Sequence, residues 1–206
     1  MKPSKSTLAE SPISQMLSDA AESYDLIGDI AEIRVPVNLD FKKQCVAQAI
    51  MQTQKCVKAV FRQVGGVSGE FRLRRLEWIL GEKRTETVHK ESGCLFRVDL
   101  EKCYFSPRLS FERMRIAKLT QPNEVAVNMF AGVGCFSVLI AKFGGARKVF
   151  SVDLNPVAVD FMRENVRLNR FSDRVVPILG DAKGGDSCVF AGCGGSCCYA
   201  FASKGF

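Results

Sequence analysis

Apolar and polar positions change period along the chain, and the changes mark its parts. Residues 1–23 are mostly polar and Ser-rich, with Pro3 and Pro12, and read as a loose arm. YDLIGDIAEIRV (24–35) is rich in β-branched residues and stops at Pro36, which predicts a strand. In DFKKQCVAQAIMQTQ (40–54), Phe41, Cys45, Ala49 and Gln52 recur at helical spacing. Val46 and Ile50 widen that stripe, and Asp40 is a candidate N-cap. CVKAVFRQV (56–64) returns to a strand pattern, followed by a glycine-rich turn at 65–69 and an apolar–basic stretch, EFRLRRLEWILGE. TETVHKE and CLFRVDL flank Ser92-Gly93, a hairpin signal. SFERMRIAKL (110–119) predicts a helix with Ser110 at its start and Glu112 in its first turn.

Beyond the break at Thr120–Glu124 the pattern is strand, helix, strand, helix, strand. EVAVNMF, KVFSVDL and RVVPILGDA are the strands. CFSVLIAKFG, stopped by Gly144-Gly145, and PVAVDFMRENVRLN, opened by Pro156, are the helices. Such alternation predicts a parallel sheet with crossover helices. The divisions expected are an arm (1–23), an α+β domain (24–119), the first three strands of an α/β domain (120–183) and a disordered tail (184–206).

Charge adds a partner. The net charge is +7, and residues 41–118 hold 17 basic against 8 acidic side chains. A basic segment beside a near-neutral one points to a polyanion. The nine cysteines come without a signal-like N-terminus, so a disulfide framework is not expected. Cys45, Cys56, Cys94, Cys103 and Cys135 read as buried small hydrophobes. Cys188, Cys193, Cys197 and Cys198 crowd a tail with neither a partner histidine nor a second spaced pair, so no metal site is expected.

The candidate chemistry sits at successive strand ends. Phe130-Ala-Gly132-Val-Gly134 lies between a strand and a helix, where glycines allow close backbone approach. Asp153 ends the second strand, placed to accept from ribose hydroxyls. Asp181 ends the third, placed to accept from an adenine amino group. Phe136 stands where a dinucleotide motif has its third glycine, which argues against a pyrophosphate. A nucleoside without phosphates fits, and that means S-adenosylmethionine.

At these residues a family resemblance emerges. LIGDIAEI, VSGEFRLRRLEWILGEKRTETVHKESGCLFRVDLEKCYFSPRL and the run from SPRLSFERMRIAKL through NMFAGVG to DLNP resemble the archaeal and eukaryotic tRNA (guanine-37-N1) methyltransferases. The likeness covers about residues 24–183. It implies a partial Rossmann-like methyltransferase sheet, its first three strands present, preceded by a small α+β RNA-facing domain. It also implies a cytoplasmic, monomeric enzyme acting on the tRNA anticodon loop. Carried over by position, Glu112 is the general base for guanine N1 and Arg72 contacts the target guanine. Tyr104 lies beside that base, and Arg74, Arg75 and Arg108 bind the RNA. Phe130, Gly132, Gly134, Asp153, Leu154, Asn155, Asp181 and Ala182 hold the cofactor.

The chain departs from the family pattern at Asn128, where the family has Asp, at Cys135, where it has Pro, and after Lys183, where the likeness stops. The expectation is therefore an inactive fragment whose first α/β strand is left as an open edge. Alternatives are a tRNA-binding remnant without catalysis, or an aminocarboxypropyl transferase of wybutosine synthesis, which the SPRL and FER residues disfavour.

Overall fold

The computed structural model describes residues 24–35, 37–182 and 198–201. The chain forms two compact units. One takes in the described residues up to Val64 together with Leu76–Arg84, and the other Gly65–Arg75 and the described residues from Thr85. The arm, and the tail apart from 198–201, lie outside the described residues. No helix among the described residues is long and apolar enough to cross a membrane.

In the first unit the strand expected over 24–35 is a hairpin. β1 (Tyr24–Ile27) and β2 (Ile30–Ile33) pair antiparallel, because Gly28 takes a φ of +59° and turns the chain. β2 pairs parallel with β3 (Ala59–Gln63), which pairs antiparallel with β4 (Leu76–Gly81). Helix α1 (Lys43–Thr53) buries Ala47 and Ile50 in a core with Ala31, Ile33, Val57, Val60 and Ile79. The isoleucines and valines of this core each contribute roughly 1.5–3 kcal/mol when fully buried, the alanines less.

Val46 and Ile50 of the expected stripe face this core, but the row Phe41, Cys45, Ala49 and Gln52 is out of phase with it. A 3-10 turn occupies Val37–Lys42, so Phe41 precedes the helix and is 76% exposed. Asp40 caps nothing; its carboxylate engages Arg62 and Lys43, and both of those also reach Glu77. Cys45 and Cys56 are exposed, whereas Cys94, Cys103 and Cys135 are buried as expected.

The second unit contains the hairpin β5 (Glu86–Glu91) and β6 (Cys94–Asp99). Ser92 and Gly93 have φ of +50° and +68°, as a two-residue primed turn requires. Helix α2 (Ser110–Leu119) follows, then β7 (Val125–Asn128). Helix α3 (Cys135–Leu139) runs on as a π-turn over Ile140–Gly144. β8 (Lys148–Asp153), α4 (Pro156–Leu168) and β9 (Val175–Leu179) complete the alternating pattern.

Hairpin and α2 thus belong with the α/β part, not with the basic domain expected to end at 119. The physical reason is packing. Gly144 lies so close to α2 that an added Cβ would sit 2.7 Å from the Ala117 carbonyl oxygen. Two asparagines, Asn165 on α4 and Asn169 at its C-cap, grip the free edge of β6. Asn165 accepts from the Arg97 amide (2.7 Å) and donates to its carbonyl (3.0 Å). Asn169 does the same at Leu95 (2.9 and 2.7 Å). An edge strand whose amides and carbonyls would otherwise go unpaired is covered by carboxamides.

The main sheet has the order β10-β7-β8-β9, all parallel, with β10 being Cys198–Phe201. This corrects two expectations. Among the described residues the sheet has four strands rather than three, and β7 is not an open edge. β10 aligns Cys198 with Val125 and Phe201 with Asn128, so the tail contributes a strand to the backbone groups β7 offers.

Candidate functional site

The glycine turn is built from its own backbone outward. Val125–Asn128 is buried throughout, so the chain must turn sharply at the end of β7 to reach α3. The Ala131 amide donates to the Val152 carbonyl (2.9 Å), and the Gly134 amide donates to the Ala131 carbonyl (2.9 Å). Gly134 has a φ of +90°, and a Cβ there would lie 2.8 Å from Met162 Cγ. Its lack of a side chain is therefore demanded by the protein itself. Gly132 (φ +53°) is different: the nearest atom to an added Cβ is the Tyr104 carbonyl oxygen at 3.7 Å. Gly132 is thus where the turn meets the Tyr104 segment.

Asp153 ties the strand ends together. Its carboxylate accepts from the Gly132 amide (2.6 Å) and the Asn155 amide (2.9 Å), while its carbonyl accepts from the Gly180 amide (3.0 Å). A carboxylate has about four lone-pair sites, so acceptor capacity remains for a ligand. Asn155 caps α4, its Oδ1 accepting from Val157 (3.0 Å) and Ala158 (3.4 Å), ahead of Pro156. Its Nδ2 donates to the Lys102 carbonyl at 2.7 Å. Asn155 therefore anchors the 100–104 loop beside the turn. Phe130 (47% exposed) and Leu154 (37% exposed) offer apolar surface at the same strand ends. Asp181 is exposed and Ala182 half-buried just past β9.

Asn128, where the resemblance leads one to expect an acid, is buried in a polar chain. Its Nδ2 donates to Ser137 Oγ (3.1 Å), which also accepts from Ser151 Oγ (2.7 Å). The amide thus supplies a proton that an ionised carboxylate would lack.

Close by is an aromatic–cationic cluster. The segment 65–75 closes through a bridge between Ser68 and Leu73, with the Arg72 amide donating to the Gly69 carbonyl at 3.1 Å. Arg72 has a positive φ (+53°) and is exposed. Its guanidinium and that of buried Arg74 each lie 5.6 Å from the centre of the Tyr104 ring. Arg75 and Arg108 are exposed. Glu112 joins a different partner: Arg115 holds its carboxylate by two hydrogen bonds, 2.7 and 2.6 Å. That bidentate contact holds the Glu112 carboxyl below the usual carboxylate range.

Sequence reading missed the support beneath this cluster. Buried Arg113 pairs with buried Glu91 and donates to the Ser106 carbonyl at 2.8 Å. Its guanidinium also lies 5.1 Å from the Phe105 ring and 5.8 Å from Phe136. His89 packs edge-on against Phe105, and burial, then the Arg113 charge, push it down to about 4, so it is neutral at pH 7. The signal available was one charge, Arg113, in phase with Ile116 and Ala117 on the buried face of α2.

The basic footprint is smaller than composition implied. Besides Arg62 and Lys43, Arg84 pairs with Asp29 and Glu82, Arg97 with Glu86 and Glu164, and Lys102 with Asp99. No cluster of metal-ligating side chains occurs among the described residues.

Residues 87–191 match the TRM5/TYW2 methyltransferase domain, past the Lys183 at which the resemblance was expected to end, and residues 5–85 match the TYW2 N-terminal domain. A tRNA (guanine(37)-N(1))-methyltransferase Trm5b of Pyrococcus abyssi is 47% identical over 161 residues, 78% of this chain and 48% of the relative. A tRNA(Phe) (4-demethylwyosine(37)-C(7)) aminocarboxypropyltransferase of Methanocaldococcus jannaschii is 37% identical over 77% of this chain and 60% of the relative. The structure described as the complex of aTrm5 and tRNALeu superposes with a TM-score of 0.74 at 38% identity, over 86% of this chain and 52% of that one. The chain spans about half the length of the first of these curated relatives. With a domain model matching across the glycine turn and every strand end described above, the chain belongs to the TRM5/TYW2 methyltransferase family.

Proposed function

We propose that this chain carries the cofactor site and part of the base site of an enzyme that methylates N1 of guanine 37 in tRNA, using S-adenosylmethionine. The observation that carries the reading is the position of Tyr104. The Arg72 and Arg74 guanidiniums each lie 5.6 Å from its ring centre, and its carbonyl oxygen is the nearest atom to a Cβ added at Gly132, at 3.7 Å. A surface for an unstacked base thus adjoins a turn suited to a nucleoside.

The residues present fit that cofactor. Asp153 would take the ribose, Phe130 and Leu154 would flank the adenosine, and Asp181 would take the adenine amino group. When bound, S-adenosylmethionine supplies an electrophilic methyl group. The chain's own residues do the rest. Guanine N1 carries a proton and is a poor nucleophile until it leaves; Glu112, ionised on the first turn of α2, is the acceptor. Arg72 is the cation for the charge that then develops on O6. Arg115 sets the strength of the base. Because Arg115 holds the Glu112 carboxyl low, Arg115→Ala is expected to move the acid limb of the kcat/KM–pH profile upward, toward ordinary glutamate. An unmoved limb would show that Glu112 is not the titrating base.

tRNA binding follows from the cations that remain exposed. Arg75→Ala is expected to flatten the slope of log affinity against log salt by about 1. Arg74 is buried against Tyr104, so its loss should act on the ring rather than on the slope.

Aminocarboxypropyl transfer is the second reading, favoured by the match of residues 5–85 to the TYW2 N-terminal domain. Mass spectrometry of nucleosides separates the two. The chain is incubated with S-adenosylmethionine and tRNA carrying guanosine, adenosine or 4-demethylwyosine at position 37. A methyl group on guanosine alone supports the proposal. An aminocarboxypropyl group on demethylwyosine supports the second reading, and a chain that neither forms product nor binds S-adenosylmethionine in calorimetry removes both.

A further inference from the structure

We propose that Asn165 is a positioning residue for the cofactor turn, acting from α4 without touching the ligand. The inference rests on the glycine turn being the cofactor site, and it deepens that reading.

Asn165 is fully buried, and all of its side-chain hydrogen bonds go to main chain. Besides its two bonds to Arg97 on β6, its Nδ2 donates to the Val133 carbonyl at 2.9 Å. Val133 is the residue between Gly132 and Gly134. The partners fix the amide's orientation. The Arg97 amide needs an acceptor, while the Arg97 and Val133 carbonyls need donors, so only one of the two flips satisfies all three. Met162, one turn earlier on the same face of α4, lies under Gly134. Helix α4 therefore holds the turn at two adjacent points: apolar contact under Gly134 and a hydrogen bond at Val133. The other side of the turn is held by Asp153 through the Gly132 amide. A turn pinned on both sides presents Gly132 and the Tyr104 segment at a fixed separation.

Asn169 provides the internal control. It grips β6 at Leu95 as Asn165 does at Arg97, but its third bond goes back to the Asn165 carbonyl (2.8 Å) rather than to the turn. Loss of either asparagine loosens the hairpin; only loss of Asn165 releases Val133.

The test compares Asn165→Asp with Asn169→Asp in the full chain. Aspartate keeps the acceptor and removes both donors. Two quantities are measured: S-adenosylmethionine affinity by calorimetry, and amide hydrogen exchange over residues 131–135 without ligand. Both variants should melt earlier. Asn165→Asp should also raise Kd by about tenfold or more, the equivalent of one lost buried hydrogen bond, and speed exchange at Gly132 and Gly134. Asn169→Asp should change Kd less than about twofold and leave the turn protected. Equal effects of the two variants on the turn would overturn the proposal. If the unmutated chain binds no S-adenosylmethionine, the cofactor reading fails, and the exchange measurement still decides whether Asn165 holds the turn. Should Asn165→Asp not fold, Asn165→Ser, which is small and neutral, is read against Asn169→Ser in the same way.

Discussion

Arg113→Met is expected to destabilise the second unit by about 3–5 kcal/mol, among the largest single effects in the chain. The variant leaves Glu91 buried without the cation that offsets its desolvation, and burial already pushes its carboxyl up. Water cannot readily repair this, since both side chains are nearly inaccessible. The pair is costly even when intact. Among the described residues, Glu91 Oε1 and Arg113 Nε have no hydrogen-bond partner, so desolvation is only partly offset. The double variant Glu91→Leu/Arg113→Met should therefore recover most of the loss in a denaturant titration, because no unpaired charge remains. Activity should not recover with it. Arg113 also donates to the Ser106 carbonyl, and Ser106 lies two residues from Tyr104. Releasing that carbonyl should loosen the segment that carries the ring. If the double variant is stable and fully active, the pair is packing alone and does not position Tyr104.

That pair also marks the limit of what could be read from the sequence. The alternating half, Val125 to Leu179, was legible because strand and helix periods follow one another with capping signals at each change. The Asn155-Pro156 start of α4 and the hairpin turn at Ser92-Gly93 are local chemistry, and local chemistry is visible in a sequence. Partners distant along the chain are not. Nothing near Asn165 says that its amide completes the edge of β6 and the glycine turn.

The division at 119 failed for the same reason. Composition ran basic through the hairpin and α2, but their contacts are with α3 and α4. The net charge of that stretch overstated the surface available to a polyanion, because ion pairs within the fold occupy many of its cations. β10 was missed because CYAF is too short to show a period, and pairing along β7 is what defines it.

Gly134→Ala tests the part of the cofactor turn that the sequence did show but explained incompletely. Two costs add. A φ of +90° strains an alanine by about 1–2 kcal/mol. The new methyl would also stand 2.8 Å from Met162 Cγ, inside a packed interior, and forcing an extra methyl into a core costs about 1–3 kcal/mol. A loss of roughly 2–5 kcal/mol is expected, which for a chain of this size lowers Tm by roughly 4–20 °C. Met162 is fully buried and sits one turn before Asn165, so it has little room to swing aside without disturbing the other hold on the turn. The cofactor affinity should fall in the same variant, since a shift of Gly134 is transmitted to Gly132 and Asp153. Gly132→Ala makes the contrast. Its methyl would meet only the Tyr104 carbonyl oxygen, at 3.7 Å, so the packing cost disappears and the backbone strain alone remains. Equal stability losses for the two alanines, measured by thermal melting, would mean that Met162 yields and that the turn is set by backbone conformation alone.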